Sequence, residues 1–118
     1  MEVQLFGLAK SKATRKAQRF FSERRVPVHF VDLRRRAPSP GELRKWVSRF
    51  GVDAVVDPSS RGYRDHGLRY LQASEDDWIA RLVADPQLLR LPLARCGRDL
   101  AVGDDPAAWQ RFADAVKG

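Results

Sequence analysis

The chain is poor in the residues that build redox and metal sites. Of its 118 residues one is cysteine, Cys96, and two are histidine, His29 and His66. A single cysteine excludes an internal disulfide. Neither histidine has a partner at metal-ligand spacing, so no metal site is expected. No run approaches the roughly 18 apolar residues of a membrane span. The first residues lack the basic, apolar and then small-residue order of a secretory signal, and the expectation is a cytoplasmic protein. Repeats, low-complexity tracts and dividing linkers are also missing, which leaves one domain over 1–118.

What the chain has in quantity is arginine and lysine, unevenly placed. Apolar residues make up 43% and charged residues 31%, ordinary for a globular protein. Residues 1–50 hold 13 Lys and Arg against 4 Asp and Glu, a net of +9, whereas residues 51–118 hold 9 against 11, a net of −2. A basic half raises the case for an acidic partner, nucleic acid included. The simpler account is a solvated arginine-rich face.

The first 25 residues set the pattern for the rest. Val3-Gln4-Leu5-Phe6 reads as a strand with Val3 and Leu5 on one face. A loop through Gly7 and Lys10 leads to a helix capped by Ser11, with Ala13, Ala17, Phe20 and Phe21 as its apolar stripe. Pro27 to Asp32 reads as a second strand, at the distance a βαβ crossover needs. Ser39-Pro40-Gly41-Glu42 has the cap, proline and glutamate of a helix start, with Leu43, Trp46, Val47 and Phe50 as the apolar side. Val52 to Val56 reads as a helical turn and Tyr63 to Leu71 as a weak helix. Ser74 caps a further helix, Leu93–Cys96 and Asp99–Val102 form a hairpin, and Asp105-Pro106 opens the last helix.

Across nearly its whole length the chain resembles the arsenate reductase/Spx-like (ArsC-type) family. The landmarks are Phe6-Gly7 followed by Arg15-Lys16-Ala17, Val31-Asp32, Pro38-Ser39 with Glu42-Leu43 and Trp46, Gly62-Tyr63-Arg64 with Gly67-Leu68, Asp85-Pro86, Leu88-Leu89, Leu91-Pro92-Leu93, Gly97, Val102-Gly103 and Trp109. The resemblance implies an α/β, thioredoxin-like fold: a mixed four-stranded sheet with a helical insertion between strands two and three. It also implies a cis Leu91-Pro92 bond facing the loop before the first helix.

Departures from the family pattern bear on function. The family's redox cysteine precedes the basic residue matched to Arg15 by four positions, and Ser11 stands there. Where Spx has its second cysteine the chain has Thr14. The family's arsenate-binding arginines align with Leu91 and near Asp57 and Gly103. A serine hydroxyl has neither the acidity nor the sulfur chemistry of a thiolate. The resemblance therefore implies no catalytic residue here. One reading of Ser11 is a helix cap. The other adds an anion site made of Ser11, Lys12, Ala13, Thr14, Arg15 and Pro92.

Two functions follow as expectations. The first is a non-catalytic binding or regulatory module with an acidic protein partner; resemblance to Spx-type members implies a subunit of RNA polymerase. The alternative is a glutathione-linked thiol oxidoreductase, or an arsenate reductase-like enzyme of altered activity, using the Ser11 helix end or Cys96. No cofactor is expected, except glutathione under the alternative. Direct nucleic-acid binding ranks below both, and no membrane partner is expected.

Overall fold

The computed structural model describes residues 2–60, 63 and 73–118. They divide into two compact units, Met1–Arg36 with Leu91–Gly118, and Ala37–Arg90.

The first unit is a sheet with two helices. Its elements are β1 (Val3–Gly7), α1 (Lys12–Glu23), β2 (Val28–Asp32), β3 (Leu93–Cys96), β4 (Asp99–Val102) and the closing helix (Pro106–Lys117), called α5 below. Strand order is β2-β1-β3-β4. β1 runs parallel to β2 and antiparallel to β3, and β3 antiparallel to β4. This is the mixed four-stranded α/β architecture that the resemblance implies.

Alternation along the strands sends Val3, Leu5, Ala94, Cys96 and Ala101 to one face. There they meet Ala17 and Phe21 of α1 and Ala108, Trp109, Phe112 and Ala113 of α5. Phe21 and Trp109 are fully buried. Phe20 sits edge-on to Phe21 at 5.4 Å and tilted on Trp109 at 5.7 Å, separations in the favourable range for ring pairs.

Helix ends carry their own stop and start signals. Ser11 and Asp105 accept a first-turn backbone N–H in α1 and α5. At the far end of α1 the Val26 N–H reaches back to the Phe21 carbonyl and the Arg25 N–H to that of Ser22. Arg25 takes a left-handed φ of 57° there, the place in this closing motif where glycine is usual. The Leu91–Pro92 peptide bond is cis.

The second unit carries α2 (Pro40–Phe50), α3 (Val52–Val55) and α4 (Glu75–Ala84), then a 3₁₀ turn at Pro86–Leu88. Ser39 and Glu42 form a reciprocal capping box. Arg90 donates to the carbonyls of Ala54 and Val56. It thereby pins the end of α3 beside the Val56–Leu89 bridge. The helix expected over Tyr63 to Leu71 lies outside the described residues apart from Tyr63.

Two expectations about helix faces need correction. Phe50 is exposed at 39% rather than packed. It is the last helical residue, and the chain leaves the helix at Gly51 with a φ of 86°. On α1 the fully buried line is Thr14, Ala17 and Phe21, while Ala13 is only half-buried. A threonine, polar by type, thus takes a core position. These exposures predict opposite outcomes in urea unfolding. Phe21→Ala should cost about 3–5 kcal/mol, and Phe50→Ala less than about 0.5 kcal/mol.

Candidate functional site

The candidate site lies where β1 ends and α1 begins. Register places Pro92 one residue beyond the Phe6–Leu93 pair, level with Gly7. The Pro92 carbonyl accepts the Gly103 N–H at 2.9 Å. Lys16 of α1 is bound to both carboxylate oxygens of Asp104 at 3.0 Å. Three segments distant in sequence are thereby gathered around one helix end: the loop 8–11, the Leu91–Pro92 turn and the 103–104 turn.

Gly7 fixes how tightly they gather. A Cβ on it would lie 2.5 Å from Thr14 Cγ2 and 2.6 Å from Thr14 Oγ1, closer than atoms can pack. No residue larger than glycine fits unless Thr14 shifts. Thr14 itself is fully buried, and its Oγ1 makes no hydrogen bond with the described residues. A buried hydroxyl left in that state costs about 1–3 kcal/mol. Burial of Thr14 was not foreseen from its type. Its i, i+3, i+7 spacing with Ala17 and Phe21 was the available signal.

Five of the six residues expected to bind an anion are contiguous at this helix end. Ser11 is the N-cap, and its Oγ accepts the Thr14 N–H at 3.2 Å. The Arg15 N–H goes to the Ser11 carbonyl, and one Arg15 guanidinium nitrogen to the Ala9 carbonyl at 2.9 Å. That leaves the backbone N–H groups of Lys12 and Ala13 without a partner among the described residues. No acidic residue stands in the first turn of α1, so its positive end is not offset by a carboxylate there. The sixth residue, Pro92, is buried and enters through its level with Gly7.

The sulfur route lies elsewhere. Cys96 is 4% exposed, inside the core between the sheet and α5. Its Sγ lies 4.0 Å from the Phe112 carbonyl. Burial, and then the nearby charge of Asp99, push the thiol pKa up, opposite to what a reactive thiolate needs. Among the described residues no three His, Cys, Asp or Glu side chains come together as a metal site.

The sequence profile of the ArsC family matches residues 6–112. YusI of Bacillus subtilis (strain 168), an uncharacterized protein, is 25% identical over 107 residues, which cover 87% of this chain and 91% of YusI. Several solved structures share the fold. The YFFB protein superposes with a TM-score of 0.86 at 21% identity, covering 94% of this chain and 98% of its own. An arsenate reductase from Vibrio cholerae superposes with a TM-score of 0.83 at 20% identity, covering 95% and 98%.

The site's packing and its thiol each yield a measurable expectation. Gly7→Ala should destabilise by about 1–3 kcal/mol. Much of that loss should be recovered in Gly7→Ala/Thr14→Ala, and an equal loss in both backgrounds would refute the contact. Native Cys96 should react with an aromatic disulfide on the order of 100-fold slower than in the unfolded chain. Its raised pKa also sets a sign. The folded state holds the proton more tightly, so this contribution is full below the ordinary thiol pKa. It declines as pH rises through that value towards the higher native one, and Cys96→Ala should flatten the alkaline slope.

Proposed function

The chain belongs to the ArsC family, and on that premise we propose that it is a non-catalytic member that works by binding. In this reading the family's sulfur nucleophile is replaced by Ser11, and the end of α1 keeps a weak site for an oxyanion. The protein acts on an acidic protein partner, with the RNA polymerase subunit implied by the Spx resemblance as the candidate.

The observation that carries the reading is the state of the Ser11 hydroxyl. Its only hydrogen bond among the described residues is the one it accepts from the Thr14 N–H. Among the described residues no imidazole or carboxylate takes its proton, and an unactivated hydroxyl is a poor nucleophile near neutral pH. The one thiol of the chain is buried, with its pKa raised, so it offers no substitute.

The anion site rests on less. Two helix N–H groups, from Lys12 and Ala13, remain for a ligand, beside the exposed side chain of Lys12. Such a site suits an oxyanion of the sulfate or phosphate type, held without chemistry.

Two measurements test the reading. Sulfate titration followed by NMR should move the Lys12 and Ala13 amides saturably, and Lys12→Glu should weaken the response. Ser11→Cys should acquire a thiol of depressed pKa that forms a mixed disulfide with glutathione, while wild type forms none at this loop. Glutathione-dependent arsenate reduction by the wild-type protein would sink the proposal.

A further inference from the structure

We propose that the open edge of β2 is a docking site for an extended acidic segment of a partner protein, which adds to the sheet as a fifth strand. This rests on the reading of the chain as a binding module and locates where the partner is held.

β2 is the outermost strand on its side of the sheet. The Val3 N–H donates to the Pro27 carbonyl and the Leu33 N–H to the Gly7 carbonyl. Together with the parallel register these bonds set the phase of the ladder. Residues 27, 29, 31 and 33 turn their backbone groups toward β1, and Val28, Phe30 and Asp32 turn theirs outward. The Asp32 carbonyl is taken by the N–H groups of Arg35 and Arg36. The N–H and C=O of Val28 and of Phe30 bond to nothing among the described residues. An unpaired row of this kind is a template for another strand.

Side-chain room exists on both sides of that edge. A recess of about 470 Å³ opens between α1 and the strand, beside Gln18, Ser22, Val28 and Phe30. A second, of about 420 Å³, opens beside His29, Val31 and Arg35. Val28 and Phe30 point to the α1 side and pack on its core cluster. His29 and Val31 point the other way by two-residue alternation. Successive side chains of an added strand would fall alternately into the two recesses, which is how strand addition gains selectivity.

Charge decides the occupant. Between positions 24 and 36 stand Arg24, Arg25, Arg34, Arg35 and Arg36 against one acid, Asp32. Arg24 is engaged, with its guanidinium over the Phe20 ring at 3.6 Å and bonded to the Phe20 carbonyl. Arg25 and Arg34 are exposed and make no ion pair among the described residues. Arg35 reaches Asp32 only at 3.9 Å while 88% exposed. Positive charge therefore brackets the open edge at both ends. Arg25 occupies a left-handed position where glycine is cheaper.

A second copy of the chain does not suit this edge. Antiparallel pairing about Phe30 would set Arg25 opposite Arg35, and parallel pairing would set the Arg34–Arg36 runs side by side. Both place like charges together. A segment with an apolar centre and acidic ends meets the same features with attraction.

The test uses the full chain and a fluorescein-labelled peptide with alternating valine and threonine at its centre and acidic residues at both ends. Fluorescence anisotropy should show saturable binding that weakens with salt. Arg34→Glu/Arg35→Glu, with an unchanged circular dichroism spectrum, should weaken it by about tenfold. N-methylation of the alternate peptide residues that face β2 should abolish binding, and methylation in the other phase should not. Peptide addition should slow hydrogen exchange at the Val28 and Phe30 amides. Equal binding of a lysine-ended peptide would overturn the proposal. So would tighter binding of a single-stranded oligothymidylate, or a free protein that is already a dimer with those amides protected. Failure here leaves the sulfate response and the Ser11→Cys result standing. Arsenate reduction by wild type would instead remove the binding-module reading while the edge still takes peptide.

Discussion

At Gly7 the end of β1 presses against the first turn of α1, with Thr14 filling the space a side chain would need. That contact sets the distance between strand and helix. It therefore sets where the N-terminal N–H groups of α1 stand relative to the Leu91–Pro92 turn, which lies level with Gly7. A looser strand-to-helix junction would leave the same residues in the chain without gathering them. Such tight packing has a cost, because Thr14 Oγ1 is buried with no hydrogen bond in the described structure. The interior of the unit otherwise obeys the usual rule that buried polar atoms are paired. Trp109 Nε1 is the other exception among the described residues.

Two kinds of positive potential coexist in this unit and differ in origin. One is the end of α1, where peptide dipoles and two N–H groups act over a short range. The other is the arginine set bracketing β2, which is exposed and therefore screened by salt. In the proposed reading the first suits a small oxyanion by geometry, and the second a larger acidic surface by charge, with the backbone of β2 supplying direction. Lys16 belongs to neither, because Asp104 pairs with it at 3.0 Å.

How much was legible depended on how local each signal was. The cap-and-glutamate pattern at Ser39 and Glu42, the Ser74 cap and the Asp105-Pro106 start are written within four residues, and each is found as read. Strand order is not local. Periodicity could place β1 to β4 along the chain, but only the family likeness supplied their arrangement. Phe50 and Ala13 are placed too deep, and Thr14 is passed over, because residue type stands in for burial only on average. Phe50 sits where its helix ends, and Thr14 sits where a glycine lets it in. The outward phase of β2 depends on which residues bond to β1, and that requires the register. Of the candidate site, the Ser11 cap could be read directly. The engagement of Arg15 with Ala9 could not.

β1 is an interior strand, with β2 on one side and β3 on the other. Its two neighbours are made at different times, since β3, β4 and α5 follow the whole of Ala37–Arg90. During synthesis the nascent β1-α1-β2 segment waits without the hairpin and last helix that complete the cover over Val3, Leu5 and Phe21. Translation speed over the intervening stretch thus sets how long that surface is open to chaperones or to misassembly.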